Sequence, residues 1–254
     1  MSKISPLHSN ACCTVPPVVS KGYKEKGEWI TVDGMKTYVT GPADAKKAIL
    51  VVYDIFGFFH QTLQGADIMA YGDHEQPYKV FMPDFFEGSP ADISWYPPDN
   101  EEKGKKLGEF FQTLAAPPKT LPRIPKVVEE LKGGAAKGIS DWGIVGYCWG
   151  AKIIKLSSME GTVFKAAAGV HPAMVDPADA EKITIPLVVL PSMDEDKDAI
   201  AKFEQNLKVP HSVEWFPDQV HGFMAARSDL EDPKVKKEYE RGYKHLLDFF
   251  HAHL

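Results

Sequence analysis

The chain has 254 residues, 44% hydrophobic and 25% charged, with a net charge of −6. That length can bury one large core, and the acidic balance excludes a general nucleic-acid binder with a basic face. No run of 18 apolar residues is present to span a membrane, residues 1–20 hold no apolar signal region, and three cysteines make no disulfide framework. The expected location is cytoplasmic, with reduced thiols.

Residues 1–27 are polar and turn-rich, with Pro16-Pro17, and read as a lead-in to one domain over 28–254. Two β-prone runs, 28–32 and 35–40, flank Asp33-Gly34, a hairpin-turn dipeptide. Residues 48–53 (AILVVY) are nearly all apolar, as in a strand buried on both faces. Leu63, Ala66, Met69 and Ala70 give 61–71 helical spacing. A strand over 78–82 closes at Pro83-Asp84, and 101–114 is a polar helix. Residues 117–125 read as a proline-rich loop containing Arg123, and a further helix opens at Ile124. Then come a strand at 142–146, a helix at 151–159, strands at 164–169 and 186–190, a helix at 198–207 and a strand at 212–216. The terminal helix, 232–254, carries an apolar stripe of Tyr239, Tyr243, Leu246, Leu247 and Phe250. This alternation predicts an α/β fold, a mostly parallel sheet with helices on both faces. Ligands bind such sheets at the carboxyl ends of the strands.

Gly146-Tyr147-Cys148-Trp149-Gly150 follows the 142–146 strand. It has the form G-x-C-x-G, the nucleophile-elbow pattern with a thiol in place of the hydroxyl. A helix starting beside Cys148 would favour its thiolate; the other reading is a buried structural cysteine. His221, in Val220-His221-Gly222-Phe223, lies after the last strand, where such folds place the base. Four acids follow the 186–190 strand: Asp194, Glu195, Asp196 and Asp198. Asp194 is nearest the strand end, Asp196 is the alternative, and some of the four cap the next helix. Asp54 follows the most apolar strand and needs a partner there; a loop-bracing role is its other reading. The backbone N–H groups of Ile55 and Trp149 stand where an oxyanion hole belongs. His171 ends a strand and is a candidate for the site wall, as is His60. His251 and His253 are expected in solvent.

Four motifs in order resemble the dienelactone hydrolase family, in its eukaryotic, fungal branch: Tyr53-Asp54-Ile55-Phe56-Gly57, Met82-Pro83-Asp84-Phe85-Phe86, the elbow continued to Ala151-Lys152, and Val220-His221-Gly222-Phe223. The resemblance implies one α/β-hydrolase domain that opens ester or enol-lactone bonds through a Cys-His-Asp triad and a thioester. On it, Cys148 is the nucleophile, His221 the base and Asp194 the acid. Asp54 takes the place of a glutamate that helps release the thiol proton, and Arg227 and Arg123 are candidates to bind a substrate carboxylate.

The implied partner is a small-molecule ester or lactone; no nucleotide cofactor is implied, since no P-loop or G-x-G-x-x-G is present, and no metal, since no His or Cys cluster with ligand spacing surrounds Cys12 and Cys13. A monomer is the default and a homodimer the other state. Two rival functions are a non-catalytic hydrolase-like binding protein and a redox-sensing thiol protein that would use Cys12 or Cys13 as its resolving thiol.

Overall fold

The computed structural model describes residues 18–254. Cys12 and Cys13, and the redox role they would serve, lie outside the described residues. Eight strands form one sheet: β1 (Glu28–Val32), β2 (Met35–Thr40), β3 (Lys47–Val52), β4 (Tyr78–Pro83), β5 (Asp141–Tyr147), β6 (Ala166–Val170), β7 (Leu187–Leu190) and β8 (His211–Val213). Their spatial order is β1-β2-β4-β3-β5-β6-β7-β8. β1 and β2 pair antiparallel at one edge, β2 runs antiparallel to β4, and every pair from β4 to β8 is parallel. Asp33 and Gly34 both take positive φ, 49° and 74°, which a two-residue hairpin turn requires.

The helices are α1 (His60–Tyr71), α2 (Glu101–Gln112), α3 (Pro117–Thr120), α4 (Arg123–Gly133), α5 (Trp149–Leu156), α6 (Lys197–Asn206) and α7 (Pro233–His253). Residues 117–125, expected as a loop, hold α3 and the start of α4. Proline is at home in a first helical turn, where its missing N–H costs nothing. Alternation along β5 puts Gly143 and Gly146 on opposite faces. A Cβ on Gly143 would meet Phe250 of α7, and one on Gly146 would meet Gly150 of α5, so those two helices cover opposite sides of the sheet. The core strands are buried on both sides: Ala48 to Val52 of β3 and Ile144 and Val145 of β5 have no exposed surface. Each buried aliphatic side chain contributes about 1.5–3 kcal/mol to folding.

Residues 18–27 of the lead-in pack on α1. The Val19 backbone exchanges two hydrogen bonds with the Gln64 side chain, and Tyr23 donates to the buried Asp67 carboxylate.

Candidate active site

The site is assembled at the carboxyl ends of β3, β5, β6 and β7 and in the loop beyond β8. β5 runs straight into α5 through Cys148, whose φ of 54° and ψ of −113° lie outside the ordinary regions for an L-residue. That turn is held by crowding. A Cβ on Gly146 would sit 2.2 Å from the Gly150 carbonyl oxygen, and one on Gly150 would sit 2.1 Å from the Val52 carbonyl oxygen. The elbow's backbone is also tied to β6: Cys148 N donates to Val170 O at 3.0 Å, and Ala173 N donates to Cys148 O at 3.1 Å. Cys148 as a residue is left 8% exposed.

His221 lies near enough to the Cys148 side chain for the two to interact. Its Nδ1 lies 2.6 Å from Glu195 Oε1. Burial by itself favours the neutral imidazole, but the sulfur and the Glu195 carboxylate override it and hold the His221 pKa well above the usual imidazole value. Sulfur, ring and carboxylate therefore form a connected relay.

Glu195, not Asp194, is the acid at the ring. The turn after β7 folds back so that Ser192 N donates to the second Glu195 oxygen, which aims the longer side chain at His221. Asp194 acts on the backbone instead. Its Oδ2 accepts the His221 backbone N–H at 2.8 Å and fixes the loop that carries the ring. Asp196 caps α6, accepting from Asp198 N and Ala199 N.

Asp54 is fully buried and braces two loops. Its Oδ1 accepts from Phe56 N at 2.9 Å, and its Oδ2 accepts from Ala226 N at 3.2 Å, in the His221 loop. Burial pushes its pKa up to about 6 against the opposing pull of those N–H groups and His221. Its hydrogen bonds go to the loops and not to the sulfur. The loop's hydrogen bonds begin at Phe56 and Gly57, and among the described residues the Ile55 amide has no acceptor. Trp149 is the first residue of α5, so its N–H has no acceptor within the helix. The Trp149 ring is locked in place: its Nε1 donates to Ala115 O at 2.7 Å, and it packs on Phe86 at 4.7 Å.

Arg227 belongs to the site. Its Nη1 donates to the His221 carbonyl, and its guanidinium lies 4.6 Å over the Tyr96 ring. Arg123 does not. It pairs with Asp33 and Glu87, so it clamps the β1–β2 turn to the segment after β4. His171 is fully buried rather than part of a substrate-facing wall, because its backbone continues the parallel sheet under the His221 ring, 5.1 Å away. His60 is exposed and lines a separate cavity of about 280 Å³ with Val19, Gln61, Ser228 and Asp229. His251, expected in solvent, instead bonds to the buried Asp73.

Among the described residues no cluster of His, Cys, Asp and Glu could hold a metal ion, and no helix is long and apolar enough to cross a membrane.

Known proteins share this arrangement of strands and helices. Residues 35–254 match the dienelactone hydrolase family model. An uncharacterized AIM2 family protein of Schizosaccharomyces pombe is 35% identical over 92% of this chain and 94% of its own. A human carboxymethylenebutenolidase homolog is 27% identical over 91% and 93% of the two chains. Among solved structures, a dienelactone hydrolase from Anabaena variabilis superposes with a TM-score of 0.64 over 91% of this chain and 98% of its own, at 13% identity, a likeness of fold. With a family match spanning the whole sheet except its first strand, the chain belongs to the dienelactone hydrolase family.

Proposed function

We propose that the chain hydrolyses ester or enol-lactone bonds, with Cys148 as nucleophile, His221 as general base and acid, and Glu195 as the carboxylate that orients His221. One observation carries the reading: the His221 ring lies near enough to the Cys148 side chain to interact with it, and a buried carboxylate stands 2.6 Å from its Nδ1. A nucleophile, a base and an orienting acid in series are the parts acyl transfer needs.

The Cys148 sulfur attacks the substrate carbonyl while His221 holds the thiol proton. Negative charge gathers on the carbonyl oxygen, and in this reading the N–H groups of Ile55 and Trp149 receive it. The intermediate collapses, the C–O bond breaks, and His221 returns its proton to the departing oxygen. Water then adds to the thioester and gives a proton to His221. The second intermediate expels the sulfur, which regains a proton, and a carboxylic acid leaves. A thiolate is itself a good leaving group, so the first step goes forward best with activated esters and enol-lactones. Arg227, beside the His221 loop and capped by Tyr96, is the cation suited to a substrate carboxylate. The work takes place in the cytoplasm, on the chain as a monomer.

Chromogenic aryl esters and enol-lactones, with and without a free carboxylate, test the reading. Turnover that survives in Cys148→Ala sinks it.

A further inference from the structure

The His171 side chain is fully buried, and among the described residues neither of its ring nitrogens has a hydrogen-bond partner. Unpaired buried polar atoms carry a free-energy cost, and a phenyl ring would fill a similar space without it. Packing therefore does not account for an imidazole here. The residue is registered to the nucleophile through its neighbours. Val170 O accepts from Cys148 N, Ala173 N donates to Cys148 O, and His171 N itself donates to Leu190 O at 2.8 Å. Between them His171 takes a φ of 33°, a sharp turn for an L-residue.

The rings around it come from three elements. Tyr147 of β5 lies 5.8 Å away, Phe223 lies 5.9 Å away, and His221 meets it edge to face at 5.1 Å with 65° between the planes. The charged groups bearing on it are His221 and Arg227, both basic. Burial first, then those two cations, keep His171 neutral. A neutral imidazole offers a neighbouring imidazolium either an aromatic face or a nitrogen lone pair, and both attract a cation. A second cation would repel it.

We infer that His171 is a positioning residue for His221: a neutral ring that fixes the plane of the catalytic imidazole and favours its cationic form beside the Cys148 sulfur. The inference rests on the reading of Cys148 and His221 given above. His171→Phe keeps the ring and removes the nitrogens; His171→Leu removes both ring and nitrogens.

The test is the pH dependence of Cys148 alkylation by iodoacetamide, followed by mass spectrometry on the full chain. His171→Phe is expected to slow alkylation at pH 6.5 by at least about 5-fold and to move the midpoint upward, with His171→Leu slowed further. At pH 9.5 both variants should match the wild type; a purely structural defect would slow every pH alike. A wild-type midpoint in His171→Phe overturns the inference. If the variants do not fold, nitrogen-15 histidine spectra of the wild-type chain decide. One imidazole should stay neutral down to pH 5 yet shift as His221 titrates, and the absence of such a signal also overturns it. A wild-type Cys148 that alkylates no faster than a free thiol at pH 6.5 would instead fail the reading of the active site itself.

Discussion

Among the described residues, two histidine–carboxylate pairs of nearly the same geometry sit at opposite ends of the sheet. At the carboxyl ends of the strands, His221 Nδ1 lies 2.6 Å from Glu195; at the other end, His251 Nδ1 lies 2.6 Å from Asp73. Both carboxylates are buried, and both also accept backbone N–H groups, Ser192 in the first pair and Glu75 and Gln76 in the second. Of the two, the first pair has a thiol on a strained elbow beside it. An oriented imidazole is a common structural part. It becomes a candidate base where the fold sets a thiol at a strand-to-helix turn beside it. The second pair ties the end of α7 to the loop after α1, which is an architectural role.

Four substitutions bear on this contrast, and a fifth, at Asp54, on the loop beside the first pair. The largest effect is expected from Cys148→Ala, which should lower kcat/KM for an aryl ester by more than about 10³-fold with the melting temperature nearly unchanged. Glu195→Gln should cost about 10²–10⁴-fold in kcat, because the ring loses the carboxylate that holds its tautomer. Asp194→Asn, at the loop's backbone, should cost far less, and a reversal of that ranking would return the acid's role to Asp194.

Asp54 gives a pH signature. Its folded pKa of about 6 lies above the ordinary value of 3.8, so its contribution to stability is fully present below pH 3.8 and lost as pH rises through 6. The loss amounts to about 3 kcal/mol. Asp54→Asn should flatten the urea-unfolding free energy between pH 4 and 6. The slope is the readout, since the amide nitrogen would face a backbone N–H and alter the absolute value.

The smallest functional effect belongs to the second pair. Asp73→Asn should lower stability by about 1.5–3 kcal/mol while leaving kcat/KM within about 2-fold. A large activity loss there would break the contrast between the two ends.

Much of the sheet is legible in the sequence because buried strands and hairpin turns leave local marks. Asp33-Gly34 sets the β1–β2 hairpin, and AILVVY announces β3. The elbow is legible for a different reason: two glycines are needed where a Cβ would collide with a carbonyl oxygen. The acid is less legible. Four acidic residues follow β7 within a single turn, and the choice among them is made by the Ser192 N–H binding Glu195, a contact that spacing does not encode. Arg123 resembles a substrate ligand in sequence because its true partners, Asp33 and Glu87, are 90 and 36 residues away. The position of His171 at a strand end is local information, but the depth of that end depends on the loops stacked above it. His251 looks solvent-facing on its own helix, and only the loop after α1 supplies its carboxylate.

The elbow has one more consequence. Its shape is set by Gly146, Gly150 and the hydrogen bonds to Val170 and Ala173, none of which involves the side chain at position 148. The backbone reserves a place in space without choosing the element that stands there. As far as the scaffold is concerned sulfur and oxygen are exchangeable, and a serine at position 148 should leave the elbow's backbone unchanged.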